Sequence, residues 1–182
     1  MNKWNVFALL GIATVTLMSS LQHASAAGNL SGQLGVQVTI SDGCTVGNSN
    51  SNGSVNKWGS INFGTYADLA NIIDGSVQGA DGSSTVTVAC TSGLSPTLTL
   101  DGGLNGSSTL RGMSSGSSII PYRLYSDASR STEIGVNGSI SLASDGNKQS
   151  IPIFGRILPS DQKSTAPASG TYVDTVTATL AW

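Results

Sequence analysis

The sequence has 182 residues, a formal net charge of −2, and charged side chains at only 10% of its positions. No basic cluster is present, which argues against nucleic-acid binding, so we expect no nucleic-acid partner. Gly, Ser, Thr and Asn dominate and Glu133 is the single glutamate, so helix formers are scarce. This composition fits either disorder or β-structure with many tight turns, and regular apolar alternation in several segments favours β-structure.

The first segment has the pattern of a secretory signal peptide. Lys3 provides a positive start, residues 6–18 are mostly apolar, and Ala-Ser-Ala-Ala at 24–27 suits signal peptidase. A transmembrane helix is the alternative, but the apolar run is short and no stop-transfer charges follow it. We therefore expect residues 1–26 to be removed, which leaves about 155 residues, enough for one β-sandwich domain.

Short alternating segments follow one another along the mature chain, separated by turns rich in Gly, Asn, Asp and Ser. They predict strands at residues 34–40, 60–63, 84–90, 97–100, 122–125, 150–158 and 171–182. We expect mobile loops at residues 43–57 and 102–118. Pro121 and Pro152 should lie at strand starts or on edges, because proline cannot donate to a ladder. The predicted fold class is all-β, a sandwich of short strands.

Two of these strands have a marked apolar face, one near each end of the mature chain. In the last strand the residues of one parity are Val176, Ala178, Leu180 and Trp182. In the first strand they are Leu34, Val36, Val38 and Ile40, with Leu30 on the same parity. A last strand without a neighbour and a spare strand on the leader would let copies join head to tail, which suggests a fibre subunit.

The two cysteines, Cys44 and Cys90, most simply form a disulfide in an exported protein. Two free buried thiols are the alternative. The only histidine, His23, lies in the signal peptide, so we expect no metal site, no cofactor and no histidine-based catalysis. Gly-Met-Ser-Ser-Gly at 112–116 matches the G-x-S-x-G nucleophile pattern, but a glycine- and serine-rich segment without a histidine makes a chance match the better interpretation.

Seven segments, in this order, resemble the spore coat protein U domain, a family that includes the rod subunits of archaic (Csu-type) chaperone–usher pili. They are Gly-Cys-Thr-Val at 43–46, Ile-Asn-Phe-Gly at 61–64, Thr-Val-Thr-Val-Ala-Cys at 85–90, Leu-Asp-Gly-Gly at 100–103, Pro-Tyr-Arg-Leu-Tyr-Ser-Asp at 121–127, Ile-Pro-Ile-Phe-Gly-Arg at 151–156 and Ala-Ser-Gly-Thr-Tyr-Val-Asp-Thr-Val at 168–176. Each motif alone is weak, whereas their order, with both cysteines in place, is more specific.

The resemblance implies an incomplete immunoglobulin-like β-sandwich that is completed by donor-strand exchange. Residues 27–43 would be the donor segment, and residues 44–182 the pilin domain. A periplasmic chaperone would lend the missing strand, and an outer-membrane usher would exchange it for the donor strand of another copy or of a related pilin. The product would be a surface pilus, exported through the periplasm, for adhesion and biofilm formation.

The same resemblance assigns the two apolar strands their roles. The donor side chains would be Leu30, Leu34, Val36, Val38 and Ile40, and the acceptor side chains, which would also bind the chaperone, would be Val176, Ala178, Leu180 and Trp182. From the residues alone, an ordinary first strand that completes its own sandwich is an equally good interpretation of residues 34–40, and the resemblance favours donation.

Other side chains receive structural interpretations. Tyr122, Tyr125 and Phe154 are expected in the core or in hydrogen bonds, and Arg123 and Arg156 are expected to be solvated or to pair with Asp127 or Asp174. A lectin-like adhesin at a pilus tip and a structural protein of spore coats are the alternative functions. Tip adhesins carry an additional binding domain, for which this chain has no room.

Overall fold

A computed structural model describes residues 31, 33–47 and 57–182, and the predicted signal peptide, Leu30 and residues 48–56 lie outside this part of the chain. The chain divides into two units, Met1–Thr39 and Ile40–Trp182. The described residues of the second unit contain eleven strands: β1 (Cys44–Gly47), β2 (Gly59–Ile61), β3 (Ile73–Gly79), β4 (Thr87–Cys90), β5 (Thr97–Leu100), β6 (Arg111–Ser115), β7 (Ser118–Tyr125), β8 (Gly138–Ser141), β9 (Gln149–Ser150), β10 (Phe154–Ile157) and β11 (Ala178–Ala181). Among the described residues the only helix is a short 3-10 turn, Pro159–Asp161, so the prediction of an all-β fold is confirmed.

The strands form three sheets, in the orders β1-β4-β9, β2-β3-β10-β7-β6 and β11-β5-β8. Every strand pair is antiparallel. Val88 and Leu98 are fully buried, and they belong to the same cluster as Ile73, Leu124 and Ile157 from the five-stranded sheet. The three sheets therefore enclose one hydrophobic core, whose burial supplies most of the stabilisation.

Two glycines allow the five-stranded sheet to approach an aromatic ring closely. Gly75 of β3 and Gly155 of β10 are register partners. A Cβ atom on Gly75 would lie 2.7 Å from Cγ2 of Ile61, and a Cβ atom on Gly155 would lie 2.6 Å from Cζ of Phe63. The absence of side chains at Gly75 and Gly155 leaves a notch that Phe63 occupies together with Ile61. The Phe63 ring lies 6.1 Å from the ring of Tyr122, centroid to centroid.

Strands with strong alternation were predicted well. Strand β5 matches the prediction residue for residue, and β4, β7 and β10 lie within or overlap the predicted segments. The last strand is shorter than predicted, because residues 171–177 are held mainly by bridges and side chains rather than by a continuous ladder. Pro121 lies inside β7, but there β7 pairs only with β6, so its missing donor interrupts no ladder on the other side.

Four strands, β1, β3, β6 and β8, were not predicted, and two of them show that the expected loops are partly wrong. Residues 44–47 form β1 within the expected loop 43–57, and residues 111–115 form β6 within the expected loop 102–118. Residues 34–40, predicted as the first strand, have no regular secondary structure. A strand requires a hydrogen-bonded neighbour, and no described strand pairs with this segment. The domain boundary expected at residue 44 stays a prediction.

Candidate functional site

The last strand of the chain, β11, lies at an edge of its sheet. Residues Ala178–Ala181 pair with β5, from Leu100 to Thr97, and no other described strand pairs with β11. An edge strand presents a row of unpaired N–H and C=O groups, which is a template for the addition of another strand. This open edge of β11 is the candidate site.

The side chains of residues 171–181 alternate in burial with a period of two. Val176, Ala178 and Leu180 are partly buried and pack against the core. Thr175, Thr177, Thr179 and Ala181 are exposed. The predicted assignment of faces therefore holds for these residues, and the apolar face beside the open edge is only half covered.

Trp182, the fourth residue predicted on this face, is placed differently. Its side chain is 58% exposed, although its parity matches that of Leu180. The ladder between β11 and β5 ends at Ala181, so no pairing fixes residue 182 over the core.

The predicted donor side chains within the described residues are all exposed. The exposed fraction is 88% for Leu34, 89% for Val36, 82% for Val38 and 85% for Ile40. Four large apolar side chains of one parity, each more than four-fifths exposed, are unusual in a segment that has no regular structure.

Asp174 holds the segment before β11 in place. Its Oδ2 accepts a hydrogen bond from the Tyr122 hydroxyl at 2.8 Å, and its Oδ1 accepts one from the Leu104 backbone N–H at 2.9 Å. Gly103, at φ +73°, makes this approach possible, because a Cβ atom there would collide with the Asp174 carboxylate. Burial, followed by the hydrogen bond to Asp174, raises the pKa of Tyr122 far above its usual value.

Asp101 forms a second attachment at the end of β5. Its backbone N–H donates to the Thr177 carbonyl at 3.0 Å, and its Oδ1 accepts the N–H of Thr177 at 2.8 Å and that of Gly103 at 2.9 Å. Desolvation acts to raise the pKa of Asp101, but the hydrogen bonds from Gly103 and Thr177 outweigh it, so the pKa is lowered. Residues 174–177 are thus fixed by two carboxylates, independently of the open edge.

Arg111 is a buried cation that the sequence analysis missed. It is 2% exposed, and its guanidinium donates to the carbonyls of Asp101, Leu100, Ile134 and Gly135 at 2.7–3.0 Å. Desolvation lowers its pKa, with nearby acidic groups opposing, but a guanidinium stays protonated in proteins. Arg111 therefore braces the end of β5, the strand that carries β11.

The predicted disulfide between Cys44 and Cys90 is confirmed. The two residues are register partners of β1 and β4, with their Cα atoms 4.0 Å apart. The bond joins the first strand of the domain to the core and lies four residues after Ile40. It follows that strand β1 is fixed to β4 just after the exposed apolar row.

The predicted partners of two arginines are wrong. Arg123 pairs with Glu133 at 2.8 Å and with Asp161 at 2.6 Å, and Arg156 pairs with Asp74 at 2.7 Å. Asp127 instead accepts the Ser129 hydroxyl and the backbone N–H groups of Ser131 and Thr132, which hold its pKa well below the usual range. These pairs are 10 to 82 residues apart in sequence, and local patterns do not show them.

Of the expected core aromatics, Tyr122 and Tyr125 are buried. Phe154 is partly buried, and the Arg130 guanidinium lies over its ring, 5.7 Å from the ring centroid.

The Gly112–Gly116 pattern lies in β6 and its hairpin turn to β7, not in a strand-to-helix turn. In the described part of the chain no cluster of side chains could hold a metal ion, and no helix is long and apolar enough to cross a membrane.

These features define the class of protein. It is an all-β domain with one core, a disulfide on strand β1 and a last described strand with an open edge. The family model of the Spore Coat Protein U domain matches residues 30–179. The chain belongs to the Spore Coat Protein U domain family, as the resemblance indicated. The members of this family are structural, non-enzymatic proteins, in agreement with the expectation that the chain is not an enzyme.

Among solved structures, the chain is similar to one in the crystal structure of the CsuC–CsuE chaperone–tip adhesion subunit pre-assembly complex from archaic chaperone–usher Csu pili of Acinetobacter baumannii. The identity is 22%, the TM-score is 0.49, and the match covers 79% of this chain and 40% of that chain. This chain therefore spans less than half the length of that relative. No curated protein matches the sequence.

Proposed function

We propose that this protein is a structural subunit of a chaperone–usher surface pilus, and that it polymerises by donor-strand complementation. In this proposal the sandwich is an incomplete immunoglobulin-like domain. Its open edge at β11 accepts the apolar segment around residues 34–40 of another copy. Membership of the Spore Coat Protein U domain family supports the proposal.

One observation carries the proposal: β11 is paired on one side only, while its core-facing side chains are half covered. Val176, Ala178 and Leu180 pack on the core and yet remain partly accessible. A strand added to this edge would pair its backbone with β11 and bury its own apolar face against the same core. This is recognition by β-strand addition, in which main-chain hydrogen bonds give affinity and alternate side chains give specificity.

The exposed row of Leu34, Val36, Val38 and Ile40 is the proposed donor, and Leu30, outside the described residues, continues its parity. Full burial of an aliphatic side chain contributes about 1.5–3 kcal/mol, so four of them contribute roughly 6–12 kcal/mol. The loss of translational and conformational freedom on association offsets a large part of this. Donation between copies is favoured over a strand that serves only its own domain because the row is exposed and unpaired.

The partners and the location follow from this mode of assembly. Before polymerisation a periplasmic chaperone would occupy the same edge of β11, and an outer-membrane usher would exchange it for a donor strand. Related pilins, as well as copies of the same chain, would serve as neighbours. The fibre would be exported through the periplasm to the cell surface, where we propose that it acts in adhesion and biofilm formation.

A donor peptide tests the proposal directly. We expect the purified mature protein to form multimers, and a variant that lacks residues 27–40 to remain monomeric with its core intact. A synthetic peptide of residues 27–42 should bind this variant. At a free peptide concentration of one hundred times Kd, it should raise the free energy of unfolding by about 2.7 kcal/mol.

The peptide also provides its own matched control. Val36→Asp and Val38→Asp together place two charges on the apolar parity and should abolish stabilisation, whereas Gln37→Asp and Thr39→Asp place them on the other parity and should retain it. Equal behaviour of the two peptides, or multimers that persist without residues 27–40, would refute the donor assignment.

A further inference from the structure

A patch of exposed apolar side chains lies beside the segment that leads into β11. It consists of Leu104, Ile119 and Val173, whose exposed fractions are 78%, 44% and 61%. We call these three residues the apolar patch. They come from three separate parts of the chain, so a single exposed loop does not account for them.

Backbone pairing places two of these residues in one row. Ser114 of β6 pairs with Val173 through two hydrogen bonds, of 2.9 and 3.0 Å, and it is also the register partner of Ile119 in β7. Directly paired residues of antiparallel strands carry their side chains on the same face of the sheet. Ile119 and Val173 therefore flank Ser114 on one face.

The loop at Leu104 is joined to this row from the other side. The N–H of Leu104 donates to Asp174, and the Asn105 side chain donates to the Val173 carbonyl at 3.4 Å. Gly112 leaves room for the contact, because a Cβ atom there would lie 2.7 Å from Cγ2 of Ile119 and 3.0 Å from the Asn105 carbonyl oxygen. Ile119 and Val173 thus flank Ser114, and the loop that carries Leu104 and Asn105 lies beside them at Gly112 and Asp174.

A second surface feature lies where the donor segment enters its own domain. It is an open depression of about 390 Å³ beside the disulfide. The residues that line it include Ser41, Gly43, Cys44, Cys90, Thr91 and Gly146. We call it the disulfide depression, and its first lining residue, Ser41, directly follows Ile40.

Strand addition would bring these two features together. Every described pair is antiparallel, and an antiparallel donor on β11 would run from the Trp182 end towards Val176. Ile40 would then lie towards the Val176 end of the groove, the end from which the chain continues back to Val173. From Ile40 to Cys44 the chain can span at most about 14 Å, so the donor's own domain must begin there.

We propose that, in the fibre, the apolar patch of one copy docks against the disulfide depression of the copy whose donor strand it holds. This rests on the proposed function, and it names the contact between successive domains. The patch is too small to hold two free copies together, since stable interfaces bury well over about 1,000 Å². Once the donor strand is in place the contact becomes intramolecular, with an effective concentration of the order of millimolar.

Thiol cross-linking in mixed multimers tests the contact. Both native cysteines are in the disulfide, so a short bismaleimide reacts only with introduced thiols. One preparation carries Leu104→Cys and a second carries Ser41→Cys, and the two are mixed before assembly. The control mixture pairs Ser41→Cys with Ile72→Cys, another exposed apolar position outside the patch, at 55% exposure.

We expect multimers in both mixtures, and a cross-linked heterodimer at least roughly tenfold more abundant in the Leu104 mixture than in the Ile72 mixture. Multimers without this excess would overturn the docking contact and leave the proposed function intact; a parallel donor would produce this result. If no multimers form in either mixture or in the unmodified protein, the proposed function and the docking contact are both wrong.

Discussion

The Tyr122 hydroxyl donates a 2.8 Å hydrogen bond to Oδ2 of Asp174, across 52 residues of sequence. Tyr122 is buried in the core strand β7, whereas Asp174 belongs to the segment that leads into β11. The bond therefore connects the interior of the domain to the candidate site. It fixes the start of the last strand without using any group on the open edge.

Removing the hydroxyl should weaken this connection. In Tyr122→Phe the Asp174 carboxylate loses a donor beside the core, and we expect the free energy of unfolding to fall by about 1–3 kcal/mol. Urea denaturation measures the change. Tyr172→Phe is the matched control, because the Tyr172 hydroxyl donates to the Ala168 carbonyl in an exposed turn and its loss should cost well under about 1 kcal/mol. Similar losses in the two variants would contradict the role of Tyr122.

The raised pKa of Tyr122 predicts a loss of stability at alkaline pH. An unfolded tyrosine releases its proton near pH 10, whereas folded Tyr122 keeps its proton above that pH. Above pH 10 the folded state therefore binds more protons than the unfolded state, and stability falls by up to about 1.4 kcal/mol per pH unit. Below pH 10 the contribution is complete. The difference in unfolding free energy between the native protein and Tyr122→Phe, measured from pH 8 to pH 11, should shrink as the pH rises, and a constant difference would contradict the prediction.

Replacing the buried guanidinium should be among the most damaging single changes. Arg111→Met removes the guanidinium donors from four backbone carbonyls, of which that of Gly135 keeps another donor, the Gly138 N–H, and we expect the free energy of unfolding to fall by more than about 3 kcal/mol. Arg111→Lys keeps three donors, so its free energy of unfolding should lie between those of the native protein and Arg111→Met. The control is Arg156→Met, which removes a partly exposed ion pair with Asp74 and should cost about 1 kcal/mol or less. Chemical denaturation measures the free energy of unfolding of the three variants. Equal losses at positions 111 and 156 would show that Arg111 does not stabilise the end of β5.

Reduction should destabilise the domain through the loop that the disulfide closes. The sequence separation of Cys44 and Cys90 is 46 residues, for which chain entropy gives about 4 kcal/mol. We expect a fall of this size when thermal or urea unfolding is repeated with a reducing agent. A Cys44→Ala, Cys90→Ala double variant should show the same lower stability with and without reductant. If the native protein is as stable reduced as oxidised, the bond does not fix β1 to the core.

The two faces of β11 should respond differently to substitution. Leu180→Ser removes an apolar side chain from the core-facing parity, and we expect the donor peptide to bind about 30-fold more weakly, which corresponds to about 2 kcal/mol. Ala181→Ser lies on the exposed parity of the same strand and should leave binding unchanged. Isothermal titration calorimetry of the variants that lack residues 27–40 provides the comparison. Weaker binding in both, or in neither, would mean that the donor does not cover this face.

The features that the sequence predicted are those with a local signal. Alternation marks β5 and the parity of Val176, Ala178 and Leu180, and an exported chain with two cysteines predicts their pairing. Strand β3 carries no such signal, because Ile-Asp-Gly-Ser-Val-Gln-Gly contains two glycines and reads as a turn. Its glycine at position 75 is required by the close approach of Ile61 and Phe63, which only the folded sheet brings there.

Arg111 shows the second limit of sequence analysis. An arginine in a segment rich in glycine and serine indicates a solvated loop, since arginine is rarely buried without partners. Its partners are main-chain carbonyls of residues 100, 101, 134 and 135, and any sequence supplies such groups. Only the three-dimensional arrangement reveals that they converge. The ion pairs of Arg123 and Arg156 were assigned wrongly for the same reason.

The notch at Gly75 and Gly155 is connected to Asp174, before the last strand, through Phe63 and Tyr122. A methyl group at either position would push the Phe63 ring outwards, and Phe63 rests against Tyr122, whose hydroxyl holds Asp174. A side chain at residue 75 or 155 would therefore shift, through Phe63, Tyr122 and Asp174, the point from which the last strand starts, and in the proposed assembly it would displace the edge to which the donor strand adds.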